Sequence, residues 1–192
     1  MARYLKRREY RPTVAIIGEG ITEHIYFSNL KQAERLKFAL KPALPKHSSI
    51  RSIVDKAIEL SKKEYDHIFC VFDLDEINQD RQILRQYVNL KRKYDKNNIK
   101  FIENNPCMEY WFLLHFVLTT REFNNYGQLE VMLKQNIHDY AKTERYLKSK
   151  DIYNFLKPHQ LLARENAANS IARATSTSSK SEVHLILDFL GV

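Results

Sequence analysis

The fold is decided by the stretch VAIIGEGITE, residues 14–23, in which a short apolar run leads into a glycine-containing turn. The run at residues 14–17 is continuous and β-rich, which is typical of a strand buried on both faces of a parallel sheet. Gly18 and Gly20 end the run, and Thr22 is expected to cap the helix that follows. The stretch therefore predicts one strand–turn–helix unit.

The same alternation recurs through the first part of the chain. Apolar runs predict further strands at 38–44, 67–72 and 99–102, while helical spacing of apolar residues predicts helices at 50–60 and 78–94. Strands that alternate with helices favour a mainly parallel sheet covered on both faces. We therefore expect a three-layer α/β/α fold.

The second part of the chain has a helical character. Pro106, following Asn105, is expected to begin a buried helix, and weakly periodic helical segments rich in Lys, Arg and Tyr come after it. In the earlier helix at 78–94, the residues expected to face inward are Ile83, Leu84, Tyr87, Val88 and Leu90. We expect a single domain over residues 1–192, with an α/β core at 1–118 and a helical extension at 119–192 packed on it.

Carboxylates gather where the predicted strands end. They are Glu19 and Glu23 after the first strand, Asp73 and Asp75 after the strand at 67–72, and Glu109 beyond the last strand. Ligands bind beyond the carboxyl edge of such a sheet, and carboxylates collected there repel one another unless a hard cation lies among them. The pattern favours a Mg²⁺ or Mn²⁺ site used for phosphate chemistry.

Each of these acids also has a plainer interpretation. Glu23 would complement the dipole of the helix that it begins, and Asp73 and Asp75 would serve a turn before the next helix. Glu109, among aromatic residues, needs a metal, a metal-bound water or a basic side chain as its partner. The local sequence leaves these alternatives open.

Composition limits the class of protein and its partners. The formal net charge of +8 predicts attraction to polyanions, of which RNA and DNA are the commonest. No apolar run approaches the ~20 residues that a membrane-spanning helix requires, and no apolar stretch follows the basic N-terminus. We therefore expect a cytoplasmic protein without membrane association, in which Cys70 and Cys107 are reduced core residues.

Two stretches resemble the TOPRIM fold of topoisomerases, primases and OLD-type nucleases: Gly-Glu-Gly-x-Thr-Glu at 18–23 and Asp-x-Asp at 73–75. With NPCMEYWFLLHF at 105–116, the chain resembles the RloB family. Members of that family are TOPRIM-like proteins found near restriction and abortive-infection genes, usually beside an AAA-type ATPase. The resemblance implies a TOPRIM-like sheet and an AAA/ABC-type ATPase as a partner protein.

The resemblance also implies roles for the acids. Glu19 matches the first acid, Asp73 and Asp75 match the metal-binding pair, and Glu23 and Glu109 match further acids of the family. Many TOPRIM domains carry Lys or Arg after the second glycine, where this chain has Ile21. A cation that contacts phosphate must therefore come from elsewhere in the chain.

These features together favour a nuclease that acts in bacterial defence against phage. Glu19, Asp73 and Asp75 would hold Mg²⁺ or Mn²⁺, and Glu23 or Glu109 would complete a second metal site or act as the general base. RNA, including tRNA, and DNA are both open as substrates, and a homo-oligomer is compatible with the sequence. The alternatives are a non-catalytic subunit that binds nucleic acid or an ATPase partner, and a small-molecule phosphohydrolase.

Overall fold

A computed structural model of the chain describes residues 12–41, 49–63, 65–119, 121–175 and 178–192. Within these ranges five strands form one sheet, namely β1 (Val14–Ile17), β2 (Ala39–Lys41), β3 (His67–Asp73), β4 (Ile99–Asn105) and β5 (Lys180–Ser181). The strand order is β2-β1-β3-β4-β5, and β1 to β4 are parallel to their neighbours, whereas β5 is antiparallel to β4. The predicted mainly parallel sheet is confirmed.

Helices follow the strands and make up most of the second half. They are α1 (Ile21–Ala33), α2 (Ile50–Ser61), α3 (Asp75–Gln79), α4 (Arg81–Tyr94), α5 (Glu109–Leu114), α6 (Tyr126–Asn136), α7 (Glu144–Lys150), α8 (Ile152–Leu156), α9 (Gln160–Ala172) and α10 (Val183–Leu190), with a 3₁₀ turn at Lys157–His159 between α8 and α9. The C-terminal half is thus mainly helical, as expected, but β5 joins it to the sheet through the pairing of Ser181 with Asn104.

Alternating side chains of the sheet build two separate cores. Val14 and Ile16 face one core, together with α1, α5 and the helices from α6 to α10. Ala15 and Ile17 face the other core, which α2, α3 and α4 cover. Because successive side chains of a strand point to opposite faces, a continuous apolar run is what a sheet covered on both sides requires. The three-layer α/β/α fold is therefore confirmed.

Several predicted helix boundaries are wrong. The N-cap of α1 is Gly20, not Thr22, because the Glu23 side chain reaches back to the Gly20 amide and fixes the helix start there. The helix α5 begins at Glu109, not Pro106, since the Pro106 carbonyl oxygen instead accepts hydrogen bonds from the amides of Leu74 and Asp75. The segment from Asn105 to Glu109 therefore stabilises the loop after β3 by hydrogen bonding.

The single helix predicted at 78–94 is two helices, α3 and α4. Asp80 separates them, and its carboxylate accepts hydrogen bonds from the backbone amides of Gln82 and Ile83, as an N-cap side chain does. Tyr87 and Leu90 of α4 are buried as predicted, whereas Ile83 and Val88 are 37% and 51% exposed instead of facing inward. The helix α2 has Ser49 as its N-cap, where the sequence allowed either Ser48 or Ser49. Residues 42–44 of the predicted second strand lie outside the described residues.

Both cysteines, Cys70 and Cys107, are free and buried, as predicted. Among the described helices there is none with the length and apolarity to cross a membrane.

The buried His115 at the end of α5 should make the stability depend on pH. Its Nδ1 lies 2.9 Å from the Trp111 carbonyl oxygen, which can only accept, so Nδ1 carries the proton of the neutral ring. Burial lowers the pKa of His115 to about 4 from the usual 6.5. The folded state therefore favours the neutral form of His115. The stability that the neutral ring contributes is complete above the pKa of the unfolded state and is lost as the pH falls towards about 4.

We expect the free energy of unfolding to fall more in the wild type than in His115→Gln as the pH is lowered from 6.5 to about 4. The extra fall should be up to about 3 kcal/mol, because a shift of one pKa unit corresponds to ~1.4 kcal/mol. Urea denaturation at a series of pH values measures the difference between the two proteins, which removes the contributions of all other titrating groups. Parallel pH profiles for the two proteins would contradict the assignment.

Candidate metal centre

The five predicted acids lie at one edge of the sheet, where the parallel strands end. Glu19 is in the loop after β1, Glu23 in the first turn of α1, Asp73 at the end of β3, Asp75 at the start of α3 and Glu109 at the start of α5. Here they are called the acidic cluster. Coulombic repulsion links all five members, because each lies close enough to disfavour the charge on at least one other.

Glu19 joins the ends of β1 and β3. Its carboxylate accepts a hydrogen bond from the backbone amide of Asp73, which ties the two loops together. Burial, followed by repulsion from Glu23, Glu76 and Asp75, nevertheless raises the pKa of Glu19 to about 8. Without a cation, this carboxyl group therefore holds a proton through much of the neutral range.

Glu23 is buried against the glycine-containing turn. Its Oε2 accepts a hydrogen bond from the Gly20 amide at 2.8 Å, which is the helix-capping role foreseen as the plainer interpretation. A β-carbon on Gly18 would lie 2.8 Å from Cβ of Glu23, so only glycine permits this close approach. Burial and then the Glu109 carboxylate raise the pKa of Glu23. The charged form of Glu23 therefore destabilises the folded state, although its side chain caps α1.

Asp73 shows the clearest sign of a missing partner. Its Oδ1 is buried, and none of the residues that the structure describes makes a hydrogen bond to it. Burial first, and then the carboxylates of Glu23 and Glu109, raise the pKa of Asp73 well above its usual value. A buried carboxylate oxygen without a donor is expensive, and a bound cation is one of the few groups that offsets this cost.

Asp75 is more exposed than Asp73 and has a local role. Its Oδ1 accepts a hydrogen bond from the Glu76 amide at 2.8 Å, within the first turn of α3. Because β3 ends at Asp73 and α3 begins at Asp75, the two acids do not belong to one extended segment. Its part in metal binding stays a prediction.

Glu109 is fully buried, and hydrogen bonds engage both of its oxygens. Oε1 accepts from the Thr22 hydroxyl at 3.3 Å and the Tyr140 hydroxyl at 3.0 Å, while Oε2 lies 3.0 Å from Nζ of Lys142. Of the three partners that the sequence left open for this acid, the structure contains the basic side chain.

Lys142 is the site residue that the sequence analysis missed. It lies between α6 and α7, its side chain is 35% exposed, and Nζ is 4.7 Å from the centre of the Tyr126 ring. Burial is the largest single influence and opposes its charge, but Glu109, Cys107 and Asp73 together outweigh burial, and the pKa of Lys142 is raised. Lys142 also lowers the pKa values of Glu23, Asp73 and Asp75, so it partly balances the charge of the acidic cluster.

The tightest grouping of potential metal ligands differs from the predicted trio of Glu19, Asp73 and Asp75. Among the described residues, Asp73, Cys107 and Glu109 place one ligand atom each within 4.8 Å of one another. Asp73 belongs to both sets. Cys107 was interpreted only as a core residue, although its position two residues before Glu109 is a signal that its thiol lies near this acid.

These residues fit a divalent cation in part. The unpartnered oxygen of Asp73 and the neighbouring carboxylates are hard donors that suit Mg²⁺ or Mn²⁺, whereas a cysteine sulfur suits softer ions. Burial, then Glu109 and Asp73, raise the pKa of the Cys107 thiol well above its usual value, so Cys107 is neutral without a metal. The donor set therefore favours an oxygen-bound cation centred on Asp73.

A cavity of about 280 Å³ opens beside the acidic cluster, with Glu19 and Asp73 in its wall. Ser49 at the start of α2, Glu76 of α3 and Gln86 of α4 also line it. A buried, unpartnered carboxylate oxygen next to a small cavity can bind a cation and bring it into contact with an anionic ligand. The arrangement is therefore suited to metal-assisted chemistry on a phosphate group.

The comparisons with known proteins return one family. A family model described as RloB-like protein matches residues 14–190, which includes every strand and helix of the structure. No curated protein and no solved structure gives a significant match to the chain.

Proposed function

The chain belongs to the RloB-like family, and from this premise we propose that it is a divalent-metal-dependent nuclease that hydrolyses phosphodiester bonds. The observation that carries the proposal is the buried, unpartnered Oδ1 of Asp73, set among four other carboxylates at the edge of the sheet. A purely structural role gives no reason to retain this costly oxygen, whereas a metal ligand requires it.

Asp73 would hold Mg²⁺ or Mn²⁺ together with Glu19 and Asp75, and the proximity of Glu109 adds a fourth candidate ligand. The bound ion would neutralise charge on the phosphate and lower the pKa of water. Glu19 also has a positioning role, because its hydrogen bond from the Asp73 amide connects the loops after β1 and β3.

Lys142 supplies the cation that the Ile21 position lacks. An ammonium group has three donors, and hydrogen bonding to Glu109 uses one of them. The remaining donors can contact a phosphate oxygen beside the acidic cluster. Lys142 thus fills the role that the resemblance assigns to a basic residue after the second glycine, but from a distant part of the chain.

The two candidates for the general base differ in their surroundings. Glu109 is fully buried, and Thr22, Tyr140 and Lys142 hydrogen bond to its carboxylate. Both oxygens of Glu109 therefore already accept hydrogen bonds from other side chains, whereas a general base needs an oxygen that can contact the attacking water. Burial and Glu109 raise the pKa of Glu23, which brings it closer to the range that a general base needs.

The substrate class follows from the net charge of +8 on a chain that places five of its 23 acidic residues in one cluster. Such a charge distribution attracts nucleic acid to the body of the protein and leaves the acidic cluster for the metal. The proposal includes both RNA and DNA as substrates. The role in defence against phage, with an ATPase partner, rests on the family resemblance.

One observation favours a non-catalytic alternative, in which the chain is a binding subunit. Lys142 and Glu109 form a buried ion pair, which already balances part of the negative charge without any metal. If the other acids hold protons, the cluster is stable as a structural element. Salt-sensitive nucleic-acid binding that is indifferent to Glu19→Gln and to divalent cations would support this alternative.

The test compares Glu19→Gln with Glu59→Gln, which makes the same change on the exposed surface of α2. With Mn²⁺, we expect wild type and Glu59→Gln to cleave a panel of single- and double-stranded RNA and DNA, and Glu19→Gln to lose at least ~10-fold in rate or metal affinity. Titration calorimetry with Mn²⁺ gives a readout that does not depend on activation by a partner. Equal Mn²⁺ binding by all three proteins would contradict the proposed centre, and turnover of phosphomonoesters alone would indicate a small-molecule phosphohydrolase.

A further inference from the structure

A second cavity, of about 410 Å³, adjoins the acidic cluster and has no part in the chemistry proposed above. Its wall contains Leu74, the residue between Asp73 and Asp75, and Asn78 of α3. The wall also contains Leu84, Val88, Lys91 and Arg92 of α4, Glu103 of β4 and Lys180 of β5. We call this space the basic cavity. It begins one residue from the candidate metal centre, because Asp73 and Leu74 are consecutive.

Glu103 organises the cations of the basic cavity. Its Oε1 lies 2.5 Å from Nζ of Lys91, its Oε2 lies 2.7 Å from Nζ of Lys180, and the Tyr87 hydroxyl donates to Oε1 at 2.7 Å. Although burial opposes the charge, these hydrogen bonds lower the pKa of Glu103 to about 2. The carboxylate therefore fixes two ammonium groups in position at neutral pH.

The cavity nevertheless keeps an excess of positive charge. Lys91, Arg92 and Lys180 line it, against the single carboxylate of Glu103, and counting the nearby Glu182 still leaves one cation in excess. The Lys91 and Lys180 side chains are 33% and 25% exposed. Each ammonium has three donors and Arg92 has five, so several N–H groups remain for an anionic ligand.

An apolar surface completes the lining. Leu74, Leu84 and Val88 border the cavity, and Val88 is 51% exposed although it belongs to an amphipathic helix. A ligand that fits must combine a flat or apolar group with an anion. A nucleotide unit combines both, because its base has an apolar face and its phosphate is charged. The volume of about 410 Å³ is in the range of small-molecule sites.

We propose that the basic cavity binds one nucleotide unit of a nucleic-acid strand, with the base against Leu84 and Val88 and the phosphate near Lys91 and Arg92. The position of this unit, beside the phosphodiester to be hydrolysed, rests on the proposed function, whereas the binding itself does not. Leu74, between β3 and α3, lines the basic cavity, and its neighbours Asp73 and Asp75 belong to the acidic cluster. A nucleic-acid strand bound in the basic cavity could therefore continue to the acidic cluster.

The experiment measures binding of a fluorescently labelled single-stranded oligonucleotide, and separately of AMP, in EDTA. Two variants alter exposed positions of the cavity, Arg92→Ala and Val88→Glu. Matched controls make the same changes elsewhere: Arg85→Ala at an exposed position of the same helix, and Val131→Glu at a position of α6 that is 66% exposed. We expect each cavity variant to weaken oligonucleotide binding about tenfold, while each control stays within about twofold of wild type.

Equal losses for Arg92→Ala and Arg85→Ala would show diffuse charge attraction and would overturn the proposal. An effect of the cavity variants on AMP but not on the oligonucleotide would identify a free nucleotide as the ligand and would overturn binding of a strand. If the cavity variants lose oligonucleotide binding as expected but the wild type shows no Mn²⁺-dependent cleavage, the proposed nuclease function is wrong and the binding site stands. If cleavage is present and KM is unchanged in both cavity variants, the inference fails alone.

Discussion

Replacing Asp73 with Asn abolishes metal-dependent cleavage and stabilises the metal-free protein: this is the result that the geometry of the acidic cluster leads us to expect. The loss of activity should exceed about 100-fold, because even changes in residues that only support a metal ligand cost about 10–100-fold in affinity or activity. Thermal unfolding is the second readout, and the two effects have opposite signs.

The gain in stability follows from the cost of the charge. Burial and the carboxylates of Glu23 and Glu109 raise the pKa of Asp73, so its charged form destabilises the folded state when no cation is bound. Asn has the same shape without the charge. We expect Asp73→Asn to have a higher free energy of unfolding than the wild type in EDTA, because folding no longer buries this charge. Mn²⁺ should stabilise the wild type and leave Asp73→Asn unchanged.

The matched control is Asp55→Asn, which makes the same substitution on α2, where the acid is 51% exposed and paired with Arg51. It should retain cleavage and shift stability by less than ~1 kcal/mol. Phage challenge of cells carrying each variant tests the role in defence, and only Asp73→Asn should lose protection. Cleavage at the wild-type rate by Asp73→Asn would remove the metal mechanism altogether.

The fold was predictable because its signals are local. The continuous apolar run at 14–17, the run of β3 and the charged helices between them fix the order of strands and helices without knowledge of long-range contacts. Helix starts were harder to predict, because they depend on competition between partners. Thr22 has the side chain of an N-cap, but Glu23 caps Gly20 and the Thr22 hydroxyl donates to Glu109 instead.

The candidate site was predictable only for residues that follow strands. Lys142 had no local signal, since it comes 33 residues after Glu109 and stands in a lysine-rich segment. Its contact with Glu109 arises from the packing of α6 on α5 and of α7 on α1, which the weak periodicity of those helices does not specify. Cys107 is a different case, because its apolar neighbours correctly predicted burial but gave no information about the nearby acids.

The second large effect concerns this ion pair. Replacing Lys142 with Met should lower the free energy of unfolding by about 2–3 kcal/mol, because the fully buried Glu109 loses its only cationic partner among the described residues. Breaking a fully buried pair costs about 3–5 kcal/mol, and we expect less here because 35% of the Lys142 side chain is exposed. Urea denaturation of the metal-free protein measures the change.

The double variant Lys142→Met/Glu109→Gln separates charge balance from catalysis. Gln at 109 is neutral and can still accept from Tyr140 and Thr22, so the double variant should recover most of the lost stability. The exposed pair Lys148 and Glu144 is the control, and its Lys148→Met/Glu144→Gln cycle should give a coupling energy below about 0.5 kcal/mol. If Lys142 contacts the phosphate, the double variant should cleave more slowly than Glu109→Gln alone, although it is stable again. Recovery of both stability and cleavage would instead mean that Lys142 only neutralises Glu109, and that the cation for the phosphate comes from another residue.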